Sequence, residues 1–312
     1  MLNLNVVQGH VRRLVEQREE QVTRYSLVTL RIVMGLLWLQ NTSWKRPPFS
    51  SGNTFGKFVQ HAVEYPVFAP YSWVVEHVVI PNFSAFGYMV MLVEGSLAIL
   101  LLLGLYTRTI ALVGIVQSSA ILMSVLRAPG EWGWAYWMML LIHVVLFATA
   151  GGGRFSVDHA ISSGNLELRR RALMTFGGVV AFLGALALLR NGFSWSDGPG
   201  DQLWHQGEYV PWGRLARLNG RGSTVLLVLG LAGFVGAYLR QRLVAALVAG
   251  AGFVAAVSIL SGLSTGDRWL GDDTTNNGVL YLVVAVGFAA LEYLPNRPPQ
   301  SNAEIATVEP RR

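Results

Sequence analysis

Cysteine is absent from this chain of 312 residues, and charged side chains make up only 13% of it. Without cysteine the protein has no disulfide, no thiolate nucleophile, no iron–sulfur ligation, no Cys-ligated metal and no covalently attached haem. Any redox chemistry must therefore use a bound cofactor or a partner subunit. The formal charge is +6, but the basic residues lie between apolar runs. We interpret them as topology signals and expect no binding of nucleic acid.

Long apolar runs dominate what is present, since 52% of the residues are hydrophobic. About 20 residues of helix cross about 30 Å of hydrocarbon. The sequence predicts an all-α, polytopic membrane protein embedded in lipid, with eight spans of this kind. They cover about residues 25–43, 83–106, 109–126, 134–150, 172–190, 223–239, 243–263 and 278–294.

The charges between the spans predict an orientation. With eight spans, both termini lie on one side, and there the basic residues outnumber the acidic ones, whereas the two signs balance on the other side. By the positive-inside rule, we expect a multi-pass protein of the plasma (inner) membrane with both termini in the cytoplasm. The chain then divides into a cytoplasmic segment 1–24, a four-helix membrane domain 25–160, a second four-helix region 161–294 and a disordered tail 295–312.

All ten tryptophans fall on or near the outer side of this arrangement. One explanation is that the outer loops are simply longer and lie in the membrane interface. The other is that these loops fold into a cap whose aromatic surface meets a partner redox subunit or a lipid-soluble substrate. Within the first outer loop, prolines bracket two short helical pieces, Phe55–Glu64 and Tyr71–Ile80.

Ionisable residues inside the predicted spans are candidate functional groups, because a charge in hydrocarbon is costly. Glu94 and Arg31 interrupt the second and first runs, and His143 lies in the fourth. Counting along the helices places all three at depths that permit a shared pocket. Arg31 and Glu94 then form either a structural pair that fixes helix register, with His143 bonded to a neighbour, or a site for a polar head group.

A membrane quinone is the most natural ligand for such a site, because its reduction needs two protons as well as two electrons. A carboxylate or an imidazole can carry those protons, so Glu94, Arg31 and His143 are candidate catalytic residues. Trp38, in the first span, is a further candidate cofactor contact. At the outer end of that span, Lys45 and Arg46 either extend to the lipid headgroups or bind an anionic substrate.

Several short motifs in the first half resemble the DoxX and DoxD membrane protein family. They are Arg31-Ile32-Val33-Met34-Gly35 continuing to Trp44-Lys45, Glu94-Gly95, Gly104-Leu105-Tyr106-Thr107-Arg108, and Gly153-Arg154-Phe155-Ser156-Val157-Asp158. In order and spacing they cover about residues 25–160. The resemblance implies a four-helix membrane bundle whose polar core includes Arg31, Glu94 and Arg108.

The best-known role of that family is as the membrane subunit of a thiosulfate:quinone oxidoreductase. The resemblance therefore implies oxidation of thiosulfate to tetrathionate outside the membrane, with the electrons passed to quinone. Two other functions stay open. The protein could be a non-catalytic anchor or assembly subunit of an oxidoreductase complex, or a proton-coupled carrier in which Arg31 and Glu94 line an alternating cavity.

Overall fold

Eleven α-helices make up the part of the chain that a computed structural model describes, which comprises residues 4–45, 47–149, 153, 155–191, 218–263, 270 and 275–295. The helices are α1 (Leu4–Thr42), α2 (Thr54–Glu64), α3 (Ala69–Val74), α4 (Phe83–Leu103), α5 (Thr107–Val125), α6 (Gly133–Ala148), α7 (Val157–Ser162), α8 (Leu166–Asn191), α9 (Gly220–Tyr238), α10 (Arg242–Gly262) and α11 (Thr275–Tyr293). One π-helical turn, Val75–Val79, continues α3. The predicted tail from residue 296 onward lies outside the described residues.

Seven of these helices are long and apolar enough to cross a membrane, and α6 is a shorter apolar helix of 16 residues. Large apolar side chains on their outer faces are exposed, among them Leu92, Leu189 and Leu243. Such a surface suits lipid and not water. The all-helical, polytopic membrane fold predicted from the sequence is confirmed, and each predicted span corresponds to one of these eight helices.

Neighbouring helices pair in sequence order. The helix α1 packs on α4, α5 on α6, α8 on α9, and α10 on α11. The last helix also contacts α1, α4 and α8, so it joins the two halves. It is the most enclosed of the seven spans, with 72% of its most apolar window buried, and Tyr281 and Phe288 on it are fully buried.

Small residues set the distance between α8 and α9. A Cβ atom added to Gly230 would lie 2.1 Å from the backbone nitrogen of Ala181, and one added to Gly184 would lie 2.3 Å from that of Leu227. Side chains there would force the helices apart, which is why close crossings of membrane helices use glycine and alanine.

The two short helical pieces predicted in the first outer loop are present as α2 and as α3 with its π-turn. They pack on the segment after α1 and on the start of α4 through an aromatic cluster that includes Phe49, Phe55 and Phe83. The phenol of Tyr71 donates to the carbonyl of Ala120 at 2.9 Å and so ties α3 to α5. Burial raises the pKa of Tyr71, so its hydroxyl stays protonated at neutral pH. We call the segment from Phe49 to Ile80 the outer cap, after the side of the membrane on which the sequence predicts it.

Candidate functional site

Glu94 lies in the middle of α4 and is fully buried, and its partner is Lys45. Lys45 follows the end of α1 by three residues and is only 2% exposed. Its Nζ forms an ion pair with Glu94 Oε2. The prediction that Lys45 extends to the headgroups is therefore wrong, because the outer cap covers the end of α1 and turns this side chain inward. Arg46 lies outside the described residues.

Two amide residues complete the polar contacts of this pair. Gln117 on α5 donates from Nε2 to Glu94 Oε1 at 3.2 Å. Lys45 Nζ also approaches the backbone carbonyl of Asn41 at 3.4 Å. Both oxygens of the Glu94 carboxylate are therefore engaged, and side chains from α4, from α5 and from the segment after α1 meet at this carboxylate. Such complete pairing is what a buried charge requires.

Aromatic rings close the pair off from the outer side. Lys45 Nζ lies 4.6 Å from the ring centroid of Trp44 and 5.5 Å from that of Phe55. Trp44 in turn meets Phe55 edge to face at 5.7 Å. The negative faces of the rings attract the ammonium group and shield it from water. The outer cap thus supplies part of the site.

The second half of the chain also reaches this site. Thr275 Oγ1, at the start of α11, donates to the backbone carbonyl of Lys45 at 2.7 Å. At the end of α1, three buried polar atoms, Gln40 Oε1, Asn41 Nδ2 and Ser43 Oγ, have no hydrogen-bond partner among the residues that the structure describes. Buried polar groups without partners are rare, so this end of α1 has capacity for a polar ligand or for ordered water.

His143 forms a second polar contact with Trp38. The indole Nε1 donates to His143 Nε2 at 3.0 Å, and both side chains are fully buried. An indole nitrogen can only donate, so Nε2 carries no proton. The proton of the neutral ring is then on Nδ1, which donates to the carbonyl of Met139 at 2.7 Å. Both ring nitrogens are therefore engaged, and His143 could hold a metal or carry a proton only after one of these bonds broke.

The two polar contacts are adjacent. Ser118 Oγ lies 3.5 Å from His143 Nδ1, and the preceding residue, Gln117, binds Glu94. Trp38 on α1 precedes Lys45 by only seven residues. We call the side chains of Lys45, Glu94, Gln117, Trp38 and His143 the central polar cluster.

Arg31 does not belong to this cluster. Its Nη1 donates to the carbonyls of Leu101 and Leu102 at 2.8 and 3.1 Å, and its Nη2 donates to Phe155 at 2.8 Å. The expected Arg31–Glu94 pair is therefore wrong. The last carbonyls of a helix lack partners within it and form the negative end of its dipole. They can therefore bind a guanidinium, and here they take the role that a carboxylate was expected to have for Arg31.

The motif around Gly104 explains how Arg31 fits. Gly104 ends α4 with φ of 65°, and a Cβ atom there would lie 2.2 Å from Arg31 Nη1. Its carbonyl accepts from the backbone nitrogen of Asp158 at 3.1 Å. Asp158 Oδ2 accepts from the backbone nitrogen of Thr107 at the start of α5, at 3.2 Å. These residues form a clamp that joins α1, α4, α5 and α7.

Arg108 is exposed and lies outside the central polar cluster. Its Nε donates to the carbonyl of Phe147 at 3.3 Å, and its guanidinium lies 5.9 Å from the Phe147 ring. Arg108 therefore links α5 to the end of α6 at the surface. Within the described ranges, no group of three or more histidine and acidic residues could hold a metal ion.

An apolar cavity of about 510 Å³ lies between the two halves of the chain. Its walls come from α1, α4, α7, α8, α9 and α11, and they are almost entirely aliphatic or aromatic. Its lining includes Leu39 and Leu280 from α1 and α11, and it also includes Phe155, Ser156 and Arg171. The volume is within the range of small-molecule sites in proteins, and the lining suits a lipid-soluble molecule.

One comparison with known proteins decides the family. The family model described as "TQO small subunit DoxD" matches residues 25–183, which is just over half of the chain. The protein belongs to the DoxD family. No curated protein and no solved structure matches the chain. The resemblance found in the sequence is confirmed, and it relates this multi-pass membrane protein to the membrane subunits of thiosulfate:quinone oxidoreductases.

Sequence reasoning missed Gln117 and Asn41, and it gave Asp158 no role of its own. Gln117 is an amide within the apolar run of α5. Its position alone marks it as a candidate site residue, because an uncharged polar group in hydrocarbon also needs a hydrogen-bond partner. Asp158 belongs to a motif typical of the DoxD family, but only the fold brings it to the first turn of α5. Asn41 acts through its backbone carbonyl, which no sequence pattern reveals.

Proposed function

We propose that this protein is a quinone-reactive membrane subunit of a thiosulfate:quinone oxidoreductase, and that the Lys45–Glu94 pair is its proton-exchanging centre. The observation that carries the proposal is a charged pair buried in the middle of a membrane bundle, held by Gln117 and bordered by unpartnered polar atoms. Buried intramembrane charges typically mark proton relays or ligand sites.

The chemistry balances with a carboxyl group at this position. Two thiosulfate anions join through a new sulfur–sulfur bond to form tetrathionate and release two electrons. A quinone that takes up these two electrons also takes up two protons and becomes a quinol. Glu94 can deliver protons singly and recover them from water. When Glu94 is protonated, Lys45 loses its counter-charge and can attract an anion, so proton and anion uptake are coupled.

The apolar cavity supports the quinone part of the proposal. Its lining matches an isoprenoid tail, and it includes Leu39, which precedes Lys45 by six residues. It also includes Leu280, which follows Thr275 by five residues, or about 8 Å along α11. A tail in the cavity therefore allows the head group to approach the unpartnered atoms of Gln40 and Asn41.

The description of the family as a small subunit supports a partner protein that takes part in the reaction. Exposed aromatic residues on the outer cap and nearby, Trp73, Trp132 and Trp134, favour the outer face for this contact. The same observation supports the second candidate function, a non-catalytic anchor for a soluble redox protein. The two functions differ in whether quinone binds to this chain.

The test is thiosulfate-dependent quinone reduction by the purified protein, with any partner that co-purifies, in lipid. We expect Glu94→Gln to lose at least tenfold in turnover while it keeps quinone affinity, because glutamine retains the shape but not the proton. Glu131→Gln in an outer loop is the matched control and keeps full turnover. Quinone that binds neither variant nor wild type would support the anchor function.

A further inference from the structure

A second cavity, of about 350 Å³, lies at the end of the bundle where α8 and α10 begin and where α9 and α11 end. Neither the quinone proposal nor the outer cap involves it. Six charged side chains line it, and they are Glu167, Arg169, Arg170, Arg240, Arg242 and Glu292. We call this the arginine pocket.

The pocket carries more positive than negative charge. Glu167 is held by Arg170 Nη2 at 2.9 Å, and Glu292 by Arg242 Nε at 3.2 Å. Arg169 is buried, and its guanidinium donates to the carbonyls of Leu291 and Leu294 at the end of α11. Two carboxylates thus face the three other guanidinium groups. Arg240 meets Glu167 only at 4.0 Å, and its side chain is 76% exposed. A net positive charge therefore remains at the opening, and an anionic group can approach it.

The start of α10 adds to this charge. Gln241, the residue before the helix, makes no side-chain capping bond to it, and both Gln241 and Arg242 line the pocket. The positive end of the helix dipole and the first backbone N–H groups thus lie beside Arg240 and Arg242. This arrangement favours an anion with several acceptor oxygens, such as a phosphate group.

The floor of the pocket is apolar, and this feature selects the source of the phosphate. Leu173, Gly233, Ala237 and Leu291 line the deeper part. Leu173 lies seven residues into α8, which corresponds to about 10 Å along the helix from its first residue. Inorganic phosphate gains nothing from such a surface. A phospholipid has its phosphate at the membrane surface and its acyl chains below. Its phosphate would therefore meet the arginines, and its acyl chains would meet the apolar residues of the pocket.

We propose that the arginine pocket binds the phosphate headgroup of an anionic membrane phospholipid. Basic pockets between membrane helices are suited to such headgroups. The inference is independent of the proposed function, because the pocket shares no residue with the central polar cluster. Most of its lining, from Gly233 onward, also lies beyond the residues that match the DoxD family. The bound lipid would stabilise the junction of the four helices α8 to α11.

The test is native mass spectrometry of the full chain in detergent, titrated with phosphatidylglycerol or phosphatidylcholine. We expect one phosphatidylglycerol to bind in preference, and Arg240→Gln/Arg242→Gln to weaken this binding about 30-fold, since each arginine contributes about 1 kcal/mol. The matched control, Arg18→Gln/Arg108→Gln, removes two exposed arginines elsewhere and leaves the binding unchanged. Both altered arginines are exposed, so folding, checked by size-exclusion chromatography, is retained.

Three results would overturn the proposal. They are equal binding of the two lipids, equal loss in the control variant, and undiminished binding in the Arg240→Gln/Arg242→Gln variant. A parallel measurement with inorganic phosphate separates the sources. If phosphate alone raises the melting temperature as much as phosphatidylglycerol does, the site recognises the anion and not the lipid, and the proposal fails in that form.

Discussion

At the scale of single residues, the main finding is which charge neutralises Glu94. The sequence identified Glu94 as a buried charge that needs a partner, and Arg31 was the expected partner because it also interrupts an apolar run. Lys45 takes that place because the outer cap covers it, and a count of residues along isolated helices does not show the cap. Arg31 instead satisfies helix-terminal carbonyls, a demand that appears only when the end of α4 is known.

The Lys45–Glu94 pair predicts a characteristic double-mutant cycle. Lys45→Met leaves Glu94 as an uncompensated buried charge, so we expect it to lower the free energy of unfolding by about 3–5 kcal/mol. Adding Glu94→Gln removes the charge and keeps a partner for Gln117, so the double variant should recover most of that loss. Thermal unfolding in detergent measures both. A double variant no more stable than Lys45→Met would contradict the pairing.

The Trp38–His143 bond predicts a second effect on stability. Trp38→Phe leaves His143 Nε2 buried without its donor, which costs about 1–3 kcal/mol. Trp134→Phe changes an indole that is 67% exposed and serves as the control, with little expected effect. Thermal unfolding of the two variants under the same conditions gives the comparison. Equal melting temperatures would show that the bond contributes nothing.

At the scale of secondary structure, the length of each apolar run correctly predicted an apolar helix. All eight apolar runs predicted from the sequence are helices, although α8 begins at Leu166 and not near residue 172. The first five residues of α8 include Glu167, Arg169 and Arg170, and their low hydropathy predicts a loop. They are helical because Glu167 forms a salt bridge with Arg170 and because Asn165 caps the start of the helix. Conversely, the second run extends to Tyr106, but α4 ends at Leu103 because Gly104 turns left-handed.

The glycine contacts between α8 and α9 predict a pair of opposite outcomes. Gly230→Ala places a Cβ atom 2.1 Å from the Ala181 backbone nitrogen, so we expect it to destabilise the protein by about 1–3 kcal/mol through forced separation of the helices. Gly250→Ala has open space around it and should leave stability unchanged or raise it slightly, because alanine favours helix. Melting temperatures of the two variants distinguish a specific contact from a general effect of replacing glycine.

At the scale of the whole molecule, the second half of the chain supports the first. The family match ends within α8, yet α11 supplies Thr275, which bonds the backbone carbonyl of Lys45, and part of the wall of the apolar cavity. The sequence predicted two four-helix regions but gave no sign of these contacts, because pairing between distant helices depends on side chains that individually look like ordinary core residues.

The cavity between the halves predicts where a bulky substitution blocks quinone. Ala172→Phe places a ring in the wall of the cavity, so we expect it to weaken quinone binding at least tenfold without loss of folding. Ala251→Phe on α10 adds the same ring to an exposed position and is the matched control. Quinone titration monitored by tryptophan fluorescence measures both variants. Unchanged affinity in Ala172→Phe would place quinone elsewhere.

Photo-crosslinking shows directly whether quinone binds beside the central polar cluster: the full chain in lipid is labelled with a quinone that carries a photoreactive group on its head, and the labelled residues are mapped. We expect label between Leu36 and Lys45 and on α11 near Leu280, with loss of label when unmodified quinone is in excess. Label confined to the outer cap or to the arginine pocket, or label that excess quinone does not displace, would contradict this placement of quinone.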